Sequence, residues 1–116
     1  MERIGRAAAA EFVGTFALIF FGAGAVILFA NGKVDLVGVA LANGLVIAIM
    51  VSQMGHLSGG VFNPAIQAAL WATGKMASGR SAVYIGAQLL GAVTAAYALR
   101  FLVPGATFHA GTCTIP

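Results

Sequence analysis

The sequence predicts an all-α integral membrane protein with three transmembrane helices and one re-entrant half-helix, and three observations carry that prediction. The composition is 60% hydrophobic and 8% charged over 116 residues, with a mean hydropathy of +0.98, far from that of an ordinary soluble domain. Three segments stay uncharged for about 19 residues, the length that crosses a ~30 Å hydrocarbon core. Between the second and the third lies Gly55-His56-Leu57-Ser58-Gly59-Gly60-Val61-Phe62-Asn63-Pro64-Ala65-Ile66, rich in glycine and polar backbone. Non-helical backbone at membrane depth persists only where protein buries it or where it lines a wet cavity, so this segment turns back into the protein.

The first span covers about 7–30. Its start, with Glu2, Arg3 and Arg6 ahead of an apolar stretch, imitates a secretion signal, but the uncharged run 12–30 is too long for one; it reads as a retained membrane helix carrying Glu11 near one end. The turn-like Asn31-Gly32-Lys33-Val34-Asp35 leads into a second span over 36–54, which carries Asn43, Ser52 and Gln53. Loop and half-helix occupy 55–74. Asn63 suits a helix N-cap and Pro64 the first helical position, where its missing N–H is not needed. A helix from Pro64 to Gly74 covers roughly 16 Å, about half of the core. The third span covers about 81–103 and contains Gln88, and a polar tail follows over 104–116. Small residues recur four apart, as Ala40, Gly44, Ala48 and Ser52 in the second span and as Ala87, Gly91 and Ala95 in the third, predicting close helix packing. The whole of 1–116 makes one small domain.

Six Lys and Arg against three acids give a net charge of +3, but they sit at segment ends, without the basic run and aromatic interleaving that binding nucleic acid requires. Arg3, Arg6, Lys75 and Arg80 on one side oppose Lys33 and Arg100 on the other, a weak orientation bias that leaves room for insertion both ways. The single cysteine, Cys113, excludes an internal disulfide framework. His109 in the tail is the only histidine besides His56, so no metal site is predicted, nor any cofactor. No serine, histidine and acid trio, carboxylate pair or phosphate-binding glycine loop points to an enzyme.

Gly55-His56-Leu57-Ser58-Gly59 followed by Phe62-Asn63-Pro64-Ala65 resembles the loop and half-helix of the aquaporin, or major intrinsic protein, family. The likeness runs from Ala10-Glu11-Phe12-Val13-Gly14-Thr15 to Gln88-Leu89-Leu90-Gly91 and matches the family's first half. That family carries two Asn-Pro-Ala boxes in inverted repeats of three membrane helices and conducts water or small neutral solutes; this chain has one box. The resemblance implies a half-repeat whose pore-lining residues are Asn63, Pro64, Ala65, His56, Gly59, Gly60 and Asn43, with Glu11 and Gln88 bracing the loop. It also favours a cytoplasmic N-terminus and a plasma (inner) membrane location. Asn63 combines two roles, its oxygen capping the half-helix and its NH2 available to a passing oxygen. The half-helix end adds about half a positive charge, which opposes cations, and the carbonyls of Gly55 to Gly60 are candidate acceptors. His56 reads either as a packing histidine or as a lumen contact, and Glu11 either as a proton or cation site or as a buried acceptor under the loop. Three departures bear on selectivity. Asn43 stands where the family usually has a large aromatic residue, and Val61 replaces a common polar one; the family's arginine after the second box has no counterpart.

A lone half-helix leaves up to four N–H groups facing the midplane, each costing several kcal/mol against lipid. This predicts a second copy inserted in inverted orientation, an antiparallel homodimer as the pore unit, and room for a higher homo-oligomer. Water and small neutral solutes such as glycerol are the expected permeants, with the bilayer as the other partner. One alternative is a small dual-topology proton-coupled exporter working through Glu11, which needs four full spans. The other is a non-conducting half-channel subunit that requires a separate second half.

Overall fold

The computed structural model describes residues 2–104, which fold into four helices: α1 (Glu2–Ala30), α2 (Leu36–Ser58), α3 (Pro64–Ala72) and α4 (Ser78–Leu102). Three of them, α1, α2 and α4, are long and apolar enough to cross a membrane. At nine residues, α3 spans only about 14 Å. The fold is thus all-α, with three membrane helices and one short helix between the last two. The polar tail expected over 104–116, with His109 and Cys113, lies outside the described residues except for Pro104.

The helix α1 is the central post: α2 packs on one side of it and α4 on another, while α3 leans on α4. What lets α1 and α4 meet closely is Gly91. A Cβ there would stand 2.5 Å from the Phe12 carbonyl oxygen and 3.2 Å from the Phe16 nitrogen, so only glycine permits this separation. Gly91 and Ala95 are buried in that seam. Ala40, Gly44, Ala48 and Ser52 of α2 are all exposed, and nothing lies within 4 Å of where a Gly44 Cβ would be. The small-residue stripe of α2 therefore makes no packing seam among the described residues, because α2 meets α1 through its opposite face, where Val46 is buried.

The helix ends differ from the sequence reading in instructive ways. The second helix runs on to Ser58 instead of stopping at Met54, so Gly55, His56 and Leu57 are helical. A glycine stops a helix when it takes the left-handed conformation at the residue after the last turn, and here that residue is Gly59, at φ 95°, with its N–H on the Gly55 carbonyl at 2.8 Å. The half-helix ends at Ala72 rather than Gly74, because the Thr73 hydroxyl donates back to the Ala69 carbonyl and Gly74 turns left-handed at φ 73°. Asp35 caps α2 by accepting the Gly38 N–H at 2.7 Å. At the other connection, α4 begins at Ser78, ahead of Arg80, which precedes its uncharged run.

Candidate functional site

Only five residues, Gly59 to Asn63, join α2 to α3, and three of them have left-handed backbone: Gly59 at φ 95°, Gly60 at 67° and Phe62 at 52°. For the glycines this conformation is free. For Phe62 it costs on the order of 1–3 kcal/mol and persists only where the surroundings over-determine it. Two contacts do so. Its N–H donates to Glu11 Oε2 at 2.7 Å, and its ring, 3% exposed, occupies a slot over Gly14, where any Cβ would collide with it.

Glu11 is wholly buried on α1 and accepts three hydrogen bonds. Val61 N–H reaches Oε1 at 3.1 Å, while Phe62 N–H and the Gln88 amide both reach Oε2 at 2.7 Å. A buried carboxylate is tolerable only with such donors around it, and this one joins α1, α4 and the loop at a single point. A second tie runs from α4: the Tyr84 hydroxyl, fully buried, donates to the Ser58 carbonyl at 2.8 Å and accepts from Arg80, whose guanidinium also stacks on the Tyr84 ring. The Ser58 hydroxyl accepts the Gly60 N–H at 3.1 Å.

At the start of α3, Asn63 is extended and its Oδ1 accepts the Ala65 N–H at 2.8 Å and the Ile66 N–H at 3.4 Å. Its own carbonyl takes the Gln67 N–H at 2.9 Å. Pro64 has no N–H. From Gly59 to Gln67, the Asn63 N–H is thus the one backbone donor without a partner among the described residues. This corrects the expectation of up to four orphaned donors at the half-helix: the Asn63 side chain takes the Ala65 and Ile66 N–H groups, the Asn63 carbonyl takes that of Gln67, and Pro64 has none to offer. Of the carbonyls from Gly55 to Gly60 expected as acceptors, those of Gly55 and Ser58 already accept from the Gly59 N–H and the Tyr84 hydroxyl.

The helix α3 is fixed to the start of α4 by two polar contacts, one buried and one exposed. Gln67, wholly buried, donates to the Ser81 hydroxyl at 2.9 Å, and the Trp71 indole N–H donates to the Ser78 hydroxyl at 2.8 Å.

Beside the loop an open groove of about 370 Å³ runs between α1, α2 and α3, walled by Leu18, Ile19, Gly22, Ala23 and Val26, by Asn43 and Ile47, and by Val61, Phe62, Asn63 and Ile66. Of the seven residues expected to line a pore, Asn43 and Asn63 line this groove. The others do not: His56 is exposed on the last turn of α2, Gly59 and Gly60 form the turn beneath it, and Pro64 and Ala65 are the first turn of α3. Asn43 is held by its Nδ2, which donates to the Val39 carbonyl at 2.9 Å. Tyr84 and Gln67 escaped the sequence reading, and Ser58, Gly14 and Phe62 entered it only within the resembling segments, with no role assigned. A tyrosine in an uncharged span is itself a signal, because its hydroxyl needs a partner when buried.

Matched as a whole, residues 2–116 fit a family model described as "Major intrinsic protein". The chain belongs to that family. Among the relatives in the major intrinsic protein family, the lens fiber major intrinsic protein of Lithobates pipiens is 46% identical over 101 residues, covering 87% of this chain and 38% of that protein. Aquaporin Z of Photorhabdus laumondii is 41% identical over 103 residues, covering 86% of this chain and 45% of its own length. Aquaporin TIP4-4 of Zea mays is 45% identical over 106 residues, covering 84% and 41%. The chain thus spans less than half the length of these relatives, and it corresponds to their first half. With three apolar helices of membrane-crossing length, it is an integral membrane member of the family.

Proposed function

We propose that the protein is a passive channel for water and small neutral solutes such as glycerol, not an enzyme. Its pore would be completed by a second copy in inverted orientation, in the plasma (inner) membrane. One observation carries this reading: Asn63 sits at the groove with its oxygen spent on capping α3, which leaves the Nδ2 hydrogens directed away from the helix as donors. A neutral donor beside the positive end of a short helix favours an oxygen-bearing neutral solute and opposes cations. Glu11 and Gln88 serve as braces, holding the loop so that Asn63 keeps its place. The names of the relatives, aquaporins among them, support the same reading.

The inverted copy is argued from the groove's open side. Two long helices, the loop and the half-helix wall it on one side only, and a second set related by a two-fold axis in the membrane plane would close it. The exporter alternative loses its footing, since three membrane-crossing helices are found among the described residues and Glu11 has three donors already in place.

The deciding experiment is stopped-flow light scattering of liposomes containing only this chain, under an osmotic gradient, against empty liposomes and Asn63→Asp. Shrinkage several-fold faster than in empty liposomes, and altered by Asn63→Asp, is the expected result. Shrinkage equal to that of empty liposomes rejects the self-assembled pore and favours a half-channel subunit needing a separate partner.

A further inference from the structure

Where the chain turns from α3 into α4, a buried amide meets a sulfur. Met76 lies in the connection 73–77, is half-buried, and accepts at Sδ from Gln67 Nε2 at 2.9 Å. Gln67 is wholly buried, gives its other amide hydrogen to Ser81 Oγ at 2.9 Å, and has no partner for Oε1 among the described residues. One of the two donors that fix α3 at this point is thus spent on a thioether, a weak acceptor. A thioether sulfur carries two lone pairs; the amide covers one and leaves the other. Of the chain's four methionines, Met50 and Met54 stand on the membrane-crossing α2, so Met76 is the one placed in a connection between helices among the described residues. The neighbouring Lys75 and Arg80 put this connection at an aqueous face.

We infer that Met76 is a modification site, oxidised by hydrogen peroxide to the sulfoxide, and that Gln67 is the positioning residue that covers one sulfur lone pair and so fixes which epimer forms. The uncovered lone pair attacks one peroxide oxygen, an S–O bond forms and the O–O bond breaks. The departing hydroxide takes the proton from the transferred oxygen and leaves as water; sulfur is oxidised by two electrons and the peroxide is reduced. The sulfur of the product is the positive end of an S–O dipole and a poor acceptor, so the Gln67 hydrogen loses its partner inside the protein, where an unpaired donor is costly. With Oε1 already unpaired, only the bond to Ser81 still holds the amide, and α3 loosens on α4. Methionine sulfoxide is reduced back by enzymes that each read one epimer, so the site can be reset. None of this depends on what the chain conducts.

The test treats the full chain in liposomes with hydrogen peroxide and follows Met50, Met54 and Met76 by peptide mass spectrometry. Met76 should gain its oxygen first. Of the two methionine sulfoxide reductases, one should restore it and the other leave it, with one epimer in about tenfold excess, the worth of one hydrogen bond. Hydrogen exchange over 64–72 should then run about tenfold faster than before oxidation. Gln67→Leu, of similar volume, should give a sulfoxide that both reductases share about equally, and Met76→Leu should leave exchange over 64–72 indifferent to peroxide. The second variant spares the buried amide, so it decides the matter even if the first fails to fold. Oxidation of Met76 no faster than that of Met50 and Met54, equal epimers in the unaltered chain, or exchange over 64–72 that ignores the state of Met76 each overturns the proposal.

Discussion

Glu11 meets three donors with two oxygens, so its replacement by glutamine is not a conservative change. An amide offers one acceptor and turns an NH2 toward groups that themselves donate. Glu11→Gln should cost about 2–3 kcal/mol, the penalty of a buried donor left unpaired. Hydrogen exchange read by mass spectrometry should show the Val61 and Phe62 amides exchanging about a hundredfold faster than in the unaltered chain. Gly14→Ala makes a second prediction, through shape alone. Its methyl would occupy the slot of the Phe62 ring, and overpacking of this sort costs typically about 1–3 kcal/mol. Shortening the ring in Phe62→Leu should recover part of that in the double variant, a coupling that thermal unfolding of the four species would measure. Glu11 and Gln88 were singled out as braces through the family resemblance, their polarity in apolar runs saying only that each needs a partner, and Asn63 through its place before Pro64. Gly14 was not, since a glycine in a membrane helix reads as generic close packing and nothing local says that a ring from 48 positions later will lie on it.

Among the helices, α4 does most of the positioning. Through Gly91 it sits against α1, through Tyr84 it holds the last residue of α2, and through Ser78 and Ser81 it holds α3. Tyr84→Phe should lower stability by about 1 kcal/mol for the lost bond to the Ser58 carbonyl, visible as a reduced midpoint in a thermal scan of the detergent-solubilised protein. Gly91→Val should be far more damaging, because its Cβ meets backbone, which cannot rotate away; loss of the folded, monodisperse species in size-exclusion chromatography is the expected outcome. Three long helices and one short one followed from hydropathy, glycine and the Asn-Pro pair. The end of α2 did not. Gly55, Gly59 and Gly60 are equally plausible stops in sequence, and only the placement of the Glu11 and Tyr84 partners decides that Gly59 takes the left-handed turn.

Across the whole molecule, α2 is the helix with most to gain from a neighbour. Leu36, Val37, Leu41, Leu45 and Ile49 are exposed along it, and the Asn43 and Asn63 groove opens beside it. If two copies assemble in opposite orientation through this face, the start of one α2 approaches the end of the other. With Cys113→Ser as background, a mixture of Val37→Cys and Val51→Cys chains should cross-link to each other in proteoliposomes, and Val37→Cys chains alone should not; the opposite pattern would establish parallel neighbours. Composition alone made a membrane protein legible. Which face of α2 packs inward was not, because a helix apolar all round carries no stripe to read.

The Glu11 junction also has a history in time. Its carboxylate bonds residues 50 and 51 positions downstream and a third, Gln88, 77 positions away. During synthesis, with the N-terminus emerging first, α1 enters the bilayer with its acid still waiting for every one of those donors. The loop can engage Glu11 once α2 has followed, but the Gln88 amide arrives only with the last long helix. The left-handed turn at Phe62 and the lodging of α3 are therefore late events in biogenesis, and a ribosome-stalled chain ending before Gln88 should still have its half-helix accessible to a protease or a thiol label.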